Sequence, residues 1–381
     1  MDRIGLRENW TGQAIILVTL ALLAVGVVMV HSAIGSVLQP GLWYTRVDLR
    51  HTLYAAIAAM VLLVGWRFDY RLLRRGDGIS NVSAGFLIFA VACSVLVFVP
   101  GVGRQVGGDY RWIRLGPAHL GLGFQPSEVL KLAIVIFLSA WLTGPGVDVK
   151  NFRRTFIPAM GLIVLCLLLV VSQDFGTAVV IGLASTVVVV LAGVPLIYLL
   201  ALIPPALAGF YVFVVLSPHR WGRITALMDP WSMDNPVAYQ PRQSLLAIMT
   251  GGWFGKGLGN GIQKMGFLPE DSTDFIFAVF CEEWGFIGAM LLMGLVLLWT
   301  VLVYRLASRV KDPFARVLAG SLGFLISIHA VMHMGVDLSV LPPTGMSFPF
   351  VSAGGTALVI MAWAVALLVS VSAHDGGGLG R

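Results

Sequence analysis

Apolar residues fill ten runs of about membrane-spanning length, separated by short polar stretches. The runs lie near residues 13–32, 51–66, 82–100, 127–143, 155–172, 175–193, 196–216, 275–304, 315–337 and 350–373. A crossing helix needs about 20 apolar residues. The pattern therefore predicts an all-α membrane protein of about ten transmembrane helices, folded as a single polytopic domain over 1–381. The second run is short and the eighth is long, so their ends are the least sharply set. Arg3 and Arg7 precede the first run, which is long for the apolar core of a signal peptide. His31-Ser32-Ala33 after it lacks a small-x-small cleavage pattern, so it reads as an uncleaved first helix.

The one long interval between runs covers about 217–274 and forms a large loop between helices seven and eight. A loop of that length in a compact domain is usually functional. Gln243 to Met249 carries a helix-like apolar face, which predicts short interfacial helices within the loop. Gly251, Gly252, Gly255, Gly257, Gly259 and Gly261 follow and permit tight turns and close backbone approach. No strand precedes them, so neither a Walker motif nor a dinucleotide-binding loop is supported.

Composition agrees with this reading. Hydrophobic residues make up 58% of the chain and charged residues only 12%, against about a quarter in soluble domains. The net charge of +6 does not signal nucleic-acid binding, because the basic residues sit in short loops. Arg67, Arg71, Arg74 and Arg75 share one loop; Lys150, Arg153 and Arg154 share another; Arg305, Arg309, Lys311 and Arg316 share a third. Chiefly Arg46 and Arg50 lie in the short connections of the other face. Basic residues kept in short loops mark the cytoplasmic side, so both termini are expected there and the 217–274 loop outside. Cys93, Cys166 and Cys281 fall in apolar runs without metal-ligand spacing and read as inert core thiols.

The candidate chemistry collects at the outer edge. Glu270, Asp271 and Asp274 stand at the mouth of the eighth run, where acids are costly unless they serve a purpose. Asp274 reads either as the N-cap of the helix starting at Phe275 or as an acid–base group. Glu282 is eight residues on, so the two acids are expected on similar helix faces. Glu128 and Lys131 lie three apart on the fourth helix, hence on one face; a structural ion pair is favoured over a charged cavity lining. Asp174 reads as the cap of the sixth helix. Asp109 to Pro117 places Trp112 between Arg111 and Arg114, which fits either an interfacial anchor or a phosphate contact. His219, His329 and His333 have no metal-binding spacing.

Several stretches together carry a resemblance to a known family. They are Phe124-Gln125-Pro126-Ser127-Glu128, Gln173-Asp174-Phe175-Gly176-Thr177, Gly257-Leu258-Gly259-Asn260-Gly261-Ile262-Gln263-Lys264, Leu268-Pro269-Glu270 with Thr273-Asp274-Phe275, Glu282-Glu283, and Gly345-Met346-Ser347-Phe348-Pro349-Phe350-Val351-Ser352. In this order, over nearly the whole chain, they resemble the SEDS family of shape, elongation, division and sporulation proteins, and within it the division branch. The resemblance implies a peptidoglycan glycosyltransferase that polymerises lipid II at the outer face of the bacterial cytoplasmic membrane. The implied partners are a class B penicillin-binding protein, the transpeptidase, and other division or elongation proteins. It implies that Asp274 is the catalytic acid and that Glu128, Lys131, Arg111, Gln243, Lys264, Glu282 and Ser352 serve substrate binding. Arg220, Arg223 and Arg242 join Arg111 as candidates for the pyrophosphate. No cofactor is required by the sequence; a divalent cation, Mg or Mn, could share the phosphate charge, although no metal cage is visible. Departures from the family pattern occur at Ser272, preceded by the extra acid Asp271, at His333, at Ala353, at Pro241-Arg242 and at Met249-Thr250. Three alternatives stay open: a lipid II flippase, a non-catalytic scaffold, and a lipid-linked glycan ligase.

Overall fold

The structure, a computed structural model, describes residues 9–35, 46–76, 81–106, 109–114 and 123–375. Arg3, Arg7 and the Leu115–Pro117 end of the tryptophan motif lie outside the described residues. The chain forms α1 (Trp10–Gly35), α2 (Val47–Gly65), α3 (Val82–Leu96), α4 (Pro126–Leu142), α5 (Ile157–Val171), α6 (Phe175–Leu191), α7 (Ile203–Phe210), α8 (Pro218–Met228), α9 (Tyr239–Gly251), α10 (Ile276–Arg309), α11 (Pro313–Asp337) and α12 (Thr356–Asp375). Among the described residues, seven helical stretches are long and apolar enough to cross a membrane. They include Phe152–Val171 and Leu196–Val215, where short 3-10 or π turns extend α5 and α7. α3 and α6 are apolar but shorter.

The interior separates from the rim by sequence. α4 is buried on nearly every side, including Glu128 and Lys131. α11 and α12 are 72% and 78% buried over their most apolar windows, so with α4 they make the centre. Leu196–Val215 is only 6% buried and lies at the periphery.

To this helical architecture the chain adds one small sheet that the apolar pattern did not predict. β1 (Gly103–Val106), β2 (Asp109–Arg114) and β3 (Gly123–Phe124) form a three-stranded antiparallel sheet. The reason is local. Asp109-Tyr110-Arg111-Trp112-Ile113-Arg114 is rich in aromatic and β-branched residues, which favour a pleated surface. Trp112 packs over Gly123, where a Cβ would come within 2.9 Å of its ring. The strands are too short for alternation to stand out beside the apolar runs.

The 217–274 interval holds α8, a 3-10 turn, α9 as expected near Gln243, and then the glycine-rich loop. That loop clasps α10 at a break in the helix, where Gly285 has φ 69° and ψ −169°. Lys256 and Gly257 donate backbone N–H bonds to the carbonyls of Glu282 and Glu283, both at 3.0 Å. Phe286 N–H in turn donates to Gly252 O at 2.8 Å. A Cβ on Gly285 would strike the Gly255 backbone, and one on Gly255 would strike the Glu283 carbonyl. Close approach of two main chains is therefore what the glycines supply.

A candidate active-site cavity around Asp274

The N-terminus of α10 is the point at which the two readings of Asp274 separate. An N-terminal helix N–H needs an acceptor, and Asp274 is the nearest acid in sequence. The acceptor is instead Asp337, from the end of α11, whose Oδ2 takes the Ala278 N–H at 2.9 Å. Phe275, the residue in the cap position, makes no side-chain cap bond. Asp274 sits one residue earlier, in a turn whose N–H groups at Thr273, Asp274 and Phe275 converge on the Glu270 carbonyl. The turn is braced from behind. Ser352 Oγ donates to Thr273 O at 2.6 Å and accepts Phe348 N–H at 2.7 Å. His333 Nε2 also bonds Thr273 O, at 3.3 Å, and Ala353 N–H donates to Ser272 O at 3.0 Å.

So held, Asp274 faces a cavity of about 380 Å³, within the range of small-molecule sites. Arg111 enters it from β2, Arg223 from α8, Glu128 from α4, Asp174 and Thr177 from α6, and His329 from α11. Gly345, with φ +73°, forms part of the wall; a Cβ there would lie 3.5 Å from Asp274 Oδ2 and 3.7 Å from Arg111 Nη1. The missing side chain leaves open the space between the acid and the guanidinium.

The charges of this cavity are mixed, and that sets protonation. Burial pushes the Asp274 carboxyl up to about 7, helped by the negative charges of Glu270 and Asp174 and opposed by Arg111. Burial likewise raises neighbouring Asp271 to about 6. Arg223 is lowered by burial and by Arg111, with Asp174 and Asp274 acting the other way. A carboxyl near 7 is poised to exchange a proton at neutral pH, and desolvation plus a charge partner in a cleft is a mark of functional sites.

The other sequence-predicted residues fall into two groups. Glu128 lines the cavity, and both its oxygens lie 3.0 Å from the buried Lys131 Nζ; the ion pair and the cavity lining are the same feature. Ser352 supports the Asp274 turn, as described. Gln243 lies on α9 and does not line the cavity, although Gln240 of the same helix does. Lys264 is buried and pairs with Glu283 at 2.6 Å while donating to Ser32 O and Oγ, both at 2.9 Å. Glu282 binds Lys256 at 2.6 Å and accepts the backbone N–H groups of Ile262 and Gln263. The expectation that Asp274 and Glu282 share a helix face is corrected: Asp274 precedes the helix, and Glu282 turns toward the glycine-rich loop.

The arginines also divide. Arg220 is engaged with the carbonyls of Phe213, Val171 and Ser172 and lies over the Phe175 ring. Arg242 lies over Tyr239 and outside the cavity wall. Arg111 and Arg223 are the two that reach the cavity. Asp174 caps α6, accepting Thr177 N–H at 2.9 Å, and also lines the cavity. Sequence reasoning missed Asp337, and it singled out Gly345 and His329 without placing either in the cavity wall. The only signal for Asp337 was an acid closing an apolar run, one turn after His333. The three cysteines are free and buried, and among the described residues no three His, Cys, Asp or Glu side chains gather as a metal-ligand cluster.

Comparison with known proteins places these features in a wider set. The profile of the FtsW/RodA/SpoVE family, described as cell cycle protein, matches residues 13–376. A probable peptidoglycan glycosyltransferase FtsW of Geobacter sulfurreducens is 36% identical over 364 residues, 94% of each chain. One of Saccharophagus degradans is 34% identical over 92% of this chain and 89% of its own. Stage V sporulation protein E of Bacillus subtilis is 34% identical over 95% and 96%. Among solved structures, a chain from a peptidoglycan synthase complex coordinating polymerization and crosslinking aligns with a TM-score of 0.76 at 24% identity, covering 97% and 98%. The rod shape determining protein RodA of Thermus thermophilus aligns at 0.65 and 24%, covering 95% and 96%. At these identities the structural likeness speaks for the fold.

Proposed function

The chain belongs to the FtsW/RodA/SpoVE family of cell cycle proteins, and we propose that it is a peptidoglycan glycosyltransferase that polymerises lipid II, with Asp274 as its base. One observation carries the assignment of Asp274: the helix cap it could have served is made by Asp337, which leaves its carboxyl turned to the cavity beside two arginines.

The chemistry asks for three things, and the cavity residues divide them. Asp274 takes the proton of the acceptor sugar's 4-hydroxyl. The oxygen so freed attacks the donor's anomeric carbon, and the bond from that carbon to the lipid pyrophosphate breaks. Arg111 and Arg223 meet the charge that develops on the departing pyrophosphate, as planar guanidinium groups do well. Glu128 and Lys131 form a neutral wall that shapes the pocket. Lys264 and Glu282 act through the loop they anchor, and Ser352 through the Thr273 carbonyl. From the α9 side it is Gln240, and not Gln243, that faces the substrate cavity. Asp274 and Glu270 are the cavity carboxylates that would hold a divalent cation such as Mg or Mn, since Mg²⁺ is usually held by one or two carboxylates; the ion would supply positive charge toward the leaving group.

The same reading sets the protein in the inner membrane with about ten crossings and both termini cytoplasmic, α3, α4 and α6 completing the long spans. The basic loops support this orientation, and it puts the Asp274 end of α4 at the outer face. The working partner is a class B penicillin-binding protein, and the similarity to FtsW proteins favours division over elongation. The test is synthesis of glycan strands from purified lipid II by the purified protein, alone and with that transpeptidase. Polymer is expected. Its absence with the partner present and the protein folded would return weight to a flippase or scaffold.

A further inference from the structure

His329 is buried in the middle of α11 and lines the Asp274 cavity, yet its Nδ1 has no hydrogen-bond partner in the protein. Buried polar atoms are nearly always satisfied, so an orphan of this kind needs an account. Several of the charged and polar groups around it already have protein partners. Asp174 and Thr177 bond each other, Glu128 pairs with Lys131, and Arg223 donates to Pro343 O at 2.9 Å. His333, one turn along the same helix, bonds Thr273 O. His329 is thus a buried side chain that points at a cavity and serves no described contact there.

We propose that His329 is a substrate-binding residue that takes an uncharged hydrogen-bonding group, a hydroxyl or an acetamido, of the sugar held in the cavity. This rests on the glycosyltransferase reading above. An imidazole offers one donor and one acceptor in its neutral form, which is what a hydroxyl or amide matches. Phosphate is already provided for by Arg111 and Arg223, and Glu128 and Lys131 neutralise each other. A sugar covalently joined to a pyrophosphate at the two arginines lies within the same cavity. The wall beside His329 is built of small residues, Ser347, Gly354 and Ala357, which leave a ligand room to reach the ring. His329 and the same three residues also line a second hole of about 10 Å³, no more than one water's worth of space.

Binding separates a sugar contact from a structural role. Lipid II and the bare lipid pyrophosphate without sugars are titrated onto the purified wild type and onto His329→Phe and His329→Asn. The first variant keeps a ring without nitrogens; the second keeps a donor and an acceptor near Nδ1. Thermal unfolding of each is recorded alongside. Losing one neutral hydrogen bond should weaken lipid II binding by His329→Phe about tenfold, with the bare lipid pyrophosphate unchanged and His329→Asn restoring most of the loss. Equal weakening for both lipids, or a lowered unfolding temperature with lipid II affinity unchanged, overturns the proposal and assigns His329 to packing or to a bound water. Wild type that binds neither lipid overturns the glycosyltransferase reading itself.

Discussion

Asp337 Oδ2 accepts the backbone N–H of Ala278 at 2.9 Å, across two helices and 59 positions of sequence. It ties the end of α11 to the start of α10 and relieves Asp274 of that duty. Asp337→Ala should therefore destabilise the protein by about 1 kcal/mol, the usual worth of a helix cap. Thermal unfolding in detergent measures it. Asp274→Ala should not show a cap-like loss, and if it does, the division of roles between the two acids is wrong.

The protonation of Asp274 gives a signed pH dependence. Its folded value of about 7 lies above the ordinary 3.8, so between about pH 4 and 7 the folded state binds more protons than the unfolded. Stability from this group is then greatest at low pH and falls as pH rises through 7. Asp274→Asn removes the cost, and above pH 7 it should unfold at a higher temperature than wild type, by an amount that fades below pH 5. Activity runs the opposite way, since the base is the ionised form: the polymerisation rate should climb with an apparent midpoint near 7. A rate flat from pH 5 to 8 would count against this acid as the base.

Gly345 guards the space between acid and guanidinium. Its φ of +73° disfavours any side chain, and a Cβ would stand 3.5 Å from Asp274 Oδ2. Gly345→Ala should cost about 1 kcal/mol of stability from backbone strain and at least about tenfold in polymerisation, because small misplacements in a reacting site are amplified. Paired unfolding and rate measurements separate the two. A rate loss no larger than the stability change explains would deny Gly345 its role in the cavity.

Lys264 is a stability residue on this account. Its ammonium is buried against Glu283 and Ser32. Lys264→Met strands a buried carboxylate, which typically costs about 3–5 kcal/mol. The double variant Lys264→Met with Glu283→Gln should recover much of it. A single variant as stable as wild type would show that the glycine-rich loop is held by its backbone bonds to α10 and by Glu282, without the Lys264 pair.

How far the sequence reached follows from the physics of each element. Helices announce themselves by length and apolarity, so each of the ten runs corresponds to a helix or helical stretch, and the α9 segment was legible from its apolar face. Asp174 was legible as a cap because it acts within its own helix start. The β1–β3 sheet was hidden because its strands are only two to six residues long and the β1–β2 register is broken by an irregularity between Arg104 and Gln105. Asp337 as the cap of α10 could not be read, since sequence proximity points to Asp274 and only packing brings α11 there. For the same reason Glu282 and Lys264 looked like site residues: acids and bases at a loop edge read alike whether they bind a ligand or a neighbouring strand of chain. Arg111 and Arg223 were among four arginine candidates, and only the fold separates them from Arg220 and Arg242.

The central claim is that the Asp274 carboxylate is the base. The direct measurement compares wild type, Asp274→Asn and Asp274→Glu, each shown folded and each assayed for lipid II binding and for glycan strand synthesis with the transpeptidase present. The account predicts that Asp274→Asn binds lipid II about as well as wild type and makes no polymer, while Asp274→Glu keeps a small fraction of the rate. Polymer from Asp274→Asn at a rate near that of wild type would contradict it.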